Sequence, residues 1–253
     1  MGAIRRLLRG KPPDKRLRVR EGRVSRPRPP RNDGFASSQL RRENEYAHLS
    51  QLSYDAETGR GAGSKFERAF RDSGLSGIYR VDEELSDANR TTFQDTRTGR
   101  AVVAFRGTNF KNAGDLGTDA AVAFGLQRLT PRFRDAEKVT RRAIERYGGA
   151  GNVDVTGHSL GGTQAMHATN RTGVHSYSFN PGAGLSRNQL SQMGLGGVGA
   201  AASLLNRGRL TSGNATVIST GVDPLSLMSR DTAARQRFVM PKGFNVHGIE
   251  NFL

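Results

Sequence analysis

The chain has 253 residues, a net charge of +16, no cysteine and no tryptophan. That length suits one domain with a substantial core. The absence of cysteine excludes a disulfide framework and a thiolate metal site, and no run of about 18 to 20 apolar residues is available to form a membrane-spanning helix.

The charge is concentrated at one end. Residues 1–31 hold twelve Lys or Arg against two acids, Asp14 and Glu21, a net of +10 that leaves +6 on the other 222 residues. Pro12, Pro13, Pro27, Pro29 and Pro30 interrupt the same stretch. Such a segment buries too little apolar surface to offset its ordering entropy, so residues 1–35 are expected to form a disordered basic arm, and residues 36–253 the folded domain. The N-terminus lacks the apolar stretch of a secretory signal, and Arg6 stands where myristoylation needs Ser or Thr. The expectation is an intracellular or virion-associated protein whose arm meets an anionic membrane surface or nucleic acid.

Taken in chain order, residues 37–54 read as a helix with Leu40, Ala47, Leu49, Leu52 and Tyr54 as buried positions. Ser64 is placed to cap a second helix carrying Phe66, Ala69 and Phe70, which Gly74 ends. Residues 78–81 and 91–95 alternate like strands, and a turn over 96–100 leads into Ala101-Val102-Val103-Ala104-Phe105, a buried strand by its unbroken apolar run. Residues 131–147 place Phe133, Ala136, Val139, Ala143 and Ile144 on one helical face, with Gly148-Gly149 as the stop. A strand over 153–156, a helix over 162–169 and strands over 174–179, 215–220 and 237–240 follow. The uncharged, Gly/Ala-rich stretch 193–205 reads as a loop plus a short helix, with a mobile lid as the alternative. Strands alternating with helices after residue 100 predict an α/β fold around a central, mostly parallel sheet flanked by helices.

One motif carries chemistry. Val153-Asp154-Val155-Thr156 runs into Gly157-His158-Ser159-Leu160-Gly161, a strand, a Gly-x-Ser-x-Gly turn and a helix start. This is the pattern of a nucleophile elbow, in which the serine hydroxyl projects above the sheet and the N–H of the next residue, Leu160, faces a developing oxyanion. His158 belongs to the elbow but is expected to point away from the chemistry. In elbow-bearing hydrolases the acid and then the base follow the serine in the chain. His247, in the late loop Gly243–Gly248, suits the base, whereas His175 lies within a predicted strand. Asp223 follows the strand 215–220 directly and is preferred as the acid over its competitor Asp231, which sits where a helix cap would. The second oxyanion donor should come from Phe105-Arg106-Gly107-Thr108-Asn109, with Thr108 as the donor.

AVVAFRGTN at 101–109, TGHSLGG at 156–162, Val222-Asp223-Pro224, the segment 115–119, the helix opening at Pro131 and the late His247 together resemble the class 3 lipase family. The likeness spans roughly residues 40–253; a weaker one links the C-terminal seven residues to short lipase-like proteins of large DNA viruses. The resemblance implies an α/β-hydrolase-like fold and hydrolysis of carboxylic acyl esters in lipids. It implies Ser159 as nucleophile, Asp223 as acid, His247 as base, and Thr108 with Leu160 as the oxyanion hole. The segment 109–125 lacks the bulky aromatics of an interfacially activated triglyceride lipase lid, which argues against long triglycerides and leaves other acylglycerols, phospholipids and small esters open.

No cofactor is expected. There is no Gly-rich phosphate loop with its lysine, and no metal is expected because no two histidines have ligand spacing; Asp115 and Asp119 read as a salt-bridge or cap pair. The competing expectation is an idle hydrolase fold that acts through its basic arm as a nucleic-acid-binding, membrane-binding or virion structural protein.

Overall fold

The computed structural model describes residues 33–107, 131–181, 214–221, 234–242, 245 and 247–253. Residues 1–32 of the arm, together with Thr108, Asp115, Asp119, the stretch 193–205, Asp223 and Asp231, lie outside the described residues.

Among the described residues, seven strands form one sheet in sequential order: β1 (Tyr79–Asp87), β2 (Arg90–Asp95), β3 (Ala101–Phe105), β4 (Val153–His158), β5 (His175–Phe179), β6 (Ala215–Thr220) and β7 (Arg235–Val239). β1, β2 and β3 pair antiparallel, and β3 through β7 pair parallel. Among the described residues, four α-helices flank the sheet: α1 (Asp33–Asp55), α2 (Lys65–Asp72), α3 (Pro131–Arg146) and α4 (Leu160–Thr172). This is the mostly parallel α/β architecture expected of a hydrolase-like fold.

The unbroken apolar run of β3 is explained by burial on both faces. Val102 and Ala104 pack with Tyr46, Leu49 and Leu52 of α1 and Phe66 of α2. Ala101, Val103 and Phe105 pack with Ala136, Val139 and Ala143 of α3 and Ala165 and Ala168 of α4. β4 splits differently, because Val153 and Val155 join the second cluster while its polar residues face α1. There Tyr46 donates to Asp154 at 2.7 Å and Ser50 pairs with Thr156 at 2.9 Å, so these buried polar groups are satisfied.

Ser64 caps α2 as its position demands, its hydroxyl accepting from the Glu67 N–H at 3.0 Å, and Gly74 takes the left-handed conformation beyond the helix. Other expectations shift. Leu40 is not buried: it is 51% exposed, because α1 begins at Asp33 and its burial starts only at Glu43, one turn further on. β1 continues to Asp87, well past residue 81. Its Asp82-Glu83-Glu84 segment is too charged to read as a strand, but it lies at the sheet edge, where charged residues are tolerated. α4 starts at Leu160 rather than 162, directly after the elbow serine.

Candidate active site

The ends of the parallel strands converge on the elbow. β4 terminates at His158, and Ser159 follows with φ 56° and ψ −125°, a conformation that L residues rarely adopt. Surrounding structure holds it there. The Ser159 N–H donates to the Phe179 carbonyl at 3.0 Å, extending the pairing of β4 with β5, and its own carbonyl accepts from the Thr163 N–H at 3.1 Å. A non-glycine residue at such an angle stores on the order of 1–3 kcal/mol of strain, and this kind of strain clusters at active sites. Ser159 is buried, and its hydroxyl makes no hydrogen bond among the described residues, His247 included. An elbow without substrate commonly has such loose geometry.

The glycines around the serine permit close approach. A Cβ on Gly161 would overlap the Phe105 carbonyl oxygen at the end of β3. A Cβ on Gly107 would overlap the Tyr54 hydroxyl and crowd the His158 carbonyl. The segment that leads into Thr108 is therefore pressed directly against the elbow. Leu160 opens α4, and N–H groups in a first helical turn have no acceptor within the helix, so the Leu160 N–H suits an oxyanion. Arg132 of α3 ties down the same region by donating to the Arg106 carbonyl at 2.7 Å, and Arg106 pairs with Glu57.

His247 is brought to this end of the sheet. It is buried, and its ring centroid lies 5.0 Å from that of His158, the neighbour of Ser159. A short turn carries it. The Gly248 N–H donates to the Asn245 carbonyl at 3.2 Å, while the Asn251 side chain donates to the Asn245 and Gly248 carbonyls at 2.8 and 2.9 Å. The Asn251 amide oxygen accepts from the Lys242 N–H at 2.7 Å, closing the loop on both sides. His175 starts β5 at the opposite end of that strand, 3.0 Å from the Thr216 hydroxyl. Thr108 and Asp223 lie outside the described residues; in the chain each stands three positions after the last residue of a strand, Phe105 and Thr220.

The sequence reading missed three residues here. His158 is turned toward the His247 main chain, with Nε2 2.6 Å from its carbonyl oxygen. Tyr54 lies 3.0 Å from His158 Nδ1, and burial pushes its hydroxyl pKa well up, against the smaller lowering by Arg132 and the Gly107 N–H, so it stays neutral. Asn180, fully buried at φ 39°, reaches both His247 and Thr220. The one available signal was Asn180-Pro181 directly after a strand, which reads only as a turn.

Among the described residues, no group of three or more His, Cys, Asp or Glu could hold a metal ion, and no helix is long and apolar enough to cross a membrane. No curated protein matches the chain. A family model described as phospholipase-like, the Tle-like phospholipase domain, matches residues 45–217. The matched span holds α1 from Glu45 onward, strands β1 to β5 and the elbow, and it ends within β6.

Proposed function

The chain belongs to the Tle-like phospholipase domain family and is of the lipid-ester hydrolase class; from that premise we propose that it is a serine phospholipase, cleaving carboxylic acyl esters of phospholipids through Ser159, His247 and Asp223. The observation that carries the reading is Ser159 itself, a buried hydroxyl at φ 56° on the strand-to-helix turn, within the matched span. The likeness of FRGT and GHSLGG to class 3 lipases supports the same assignment.

In this reading His247 removes the Ser159 proton as Oγ attacks the ester carbonyl carbon. The negative charge that forms on the carbonyl oxygen rests on the N–H groups of Thr108 and Leu160, each donor of this kind being worth about 3 to 4 kcal/mol of barrier. Asp223 holds the imidazole tautomer and stabilises the imidazolium. Collapse of the tetrahedral intermediate breaks the ester C–O bond, and the imidazolium gives its proton to the departing lysophospholipid oxygen. Water, deprotonated by His247, then attacks the acyl carbon; the acyl C–Oγ bond breaks, the imidazolium returns its proton to Ser159 Oγ, and the fatty acid leaves. His247 and Asp223 lie beyond the matched span, so their roles rest on chain order and, for His247, on its place beside the elbow.

The test is fatty-acid release from phosphatidylcholine and phosphatidylglycerol vesicles by the wild type and by Ser159→Ala, with a fluorophosphonate probe mapped to its labelled residue. The wild type should hydrolyse the vesicles and be labelled at Ser159, and the variant should do neither. Turnover that survives Ser159→Ala excludes the serine mechanism. Release from acylglycerols alone excludes phospholipid as the substrate. No ester turnover, together with tight DNA binding through residues 1–35, would make the fold an idle scaffold for the arm.

A further inference from the structure

Two side chains outside the triad grip one atom of the residue assigned as base. The carbonyl oxygen of His247 lies 2.6 Å from His158 Nε2 and 2.9 Å from Asn180 Nδ2. A carbonyl has two lone pairs, so both bonds can form at once. Because a carbonyl only accepts, Nε2 carries a proton, and on the other side of the ring the Tyr54 hydroxyl lies 3.0 Å from Nδ1 and donates to the His158 carbonyl at 3.3 Å. Asn180 is fixed in turn, its Oδ1 accepting from the Thr220 N–H and its own N–H donating to the Ile218 carbonyl, both at 2.9 Å. Gly107 packs against the far end of this chain at the Tyr54 hydroxyl.

The connected groups run from Gly107 through Tyr54, His158, the His247 carbonyl and Asn180 to Thr220. Three of these residues are close in sequence to assigned catalytic positions: Gly107 precedes Thr108, His158 precedes Ser159, and Thr220 lies three residues before Asp223. His247 itself follows β7 by eight residues and belongs to no strand, so no sheet ladder sets its height above the elbow. Resting on the triad reading above, we propose that His158, Asn180 and Tyr54 are positioning residues that fix the height and orientation of the His247 main chain beside the elbow serine. The bonds land on the main chain and not on the imidazole nitrogens, so they orient the base without competing for the proton it moves. Misplacement of a catalytic group by about 1 Å can lower a rate by about 100-fold, which makes such a frame matter.

The experiment measures kcat, KM and the rate of fluorophosphonate labelling on p-nitrophenyl butyrate for the wild type, Ser159→Ala, His158→Leu, His158→Gln and Tyr54→Phe. His158→Leu removes the donor and should lower kcat and labelling together by about 30-fold, with KM within about twofold. His158→Gln keeps an amide N–H near the Nε2 position and should stay within about fivefold of wild type. Tyr54→Phe removes one oxygen and should lower kcat by about three- to tenfold at constant KM, which decides the matter if the Leu variant does not fold. Wild-type turnover retained by Ser159→Ala would sink the triad reading itself. With Ser159→Ala inactive, the positioning role is overturned if Tyr54→Phe and His158→Leu keep wild-type kcat, or if Gln and Leu at 158 fall equally far.

Discussion

Gly161 lies directly against the carbonyl of Phe105, so close that a single added methyl group would overlap the oxygen. The two residues belong to different halves of the site, the elbow helix α4 and the end of β3. Their contact sets how near Phe105 to Gly107 comes to the elbow. Four expectations follow from relationships of this kind.

Gly161→Ala places Cβ against main chain, which cannot rotate away as a side chain would. The overlap must be relieved by separating α4 from β3. We expect a loss of about 2 to 4 kcal/mol and a melting temperature lower by roughly 5–15 °C, with esterase activity lost out of proportion to stability. Calorimetry alongside the vesicle assay measures both. A variant with wild-type stability would show that the β3–α4 contact is not tight.

Ser159→Gly should separate stability from activity in the opposite direction. Glycine occupies φ 56° without penalty, and the serine hydroxyl has no hydrogen-bond partner among the described residues to lose. The variant should be inactive yet more stable by about 1 kcal/mol, a rise of roughly 2–4 °C in melting temperature. A destabilised glycine variant would mean that the positive φ carries no strain.

Asp223→Asn keeps the side chain's shape and removes its charge. An amide in place of the proposed triad carboxylate favours the wrong imidazole tautomer, and kcat should fall by roughly 10³- to 10⁴-fold with little change in KM. The competitor is tested in parallel: Asp231→Asn should remain within about twofold of wild type. The reverse ranking would transfer the acid role to Asp231.

Acid should destabilise the fold in part through His175. Burial lowers the pKa of its imidazole below 6.5; Asp154 opposes that, while Arg42, Arg100 and Arg235 add to it. The unfolded chain then binds this proton at a higher pH than the folded chain does. The stabilising contribution is complete above about pH 6.5 and is lost as pH falls from there through the lower folded pKa. His48 shifts the same way, through burial and Lys242. Urea unfolding at pH 7.5 and 5.5 should show a larger loss for the wild type than for His175→Gln. Equal losses would uncouple this titration from folding.

The elbow, the buried strand Ala101–Phe105, the Ser64 cap and the alternation of strands with helices were legible in the sequence, because each is written in a few neighbouring residues. Gly-x-Ser-x-Gly after a β run needs no distant partner to be recognised, and an apolar pentapeptide already implies burial on both faces. The exposure of Leu40 was not legible, since helical periodicity says which side of α1 is apolar but not where the helix first meets the sheet. Nor was the extension of β1 through Asp82-Glu83-Glu84, whose strand character comes from pairing at a sheet edge and not from its own composition.

The sequence by itself determined which residue sits on the strand-to-helix turn, because a turn this tight depends on local backbone sterics. Only the tertiary structure decided what stands around it. His158 meets the His247 carbonyl across 89 residues, and Tyr54 meets His158 across 104. A histidine beside the serine, a tyrosine at the end of a helix and an asparagine before a proline carry no mark of a common purpose in the chain. They become one frame only when the sheet brings the ends of β3, β4, β5 and β6 side by side, where buried polar groups must find partners and the partners within reach are each other.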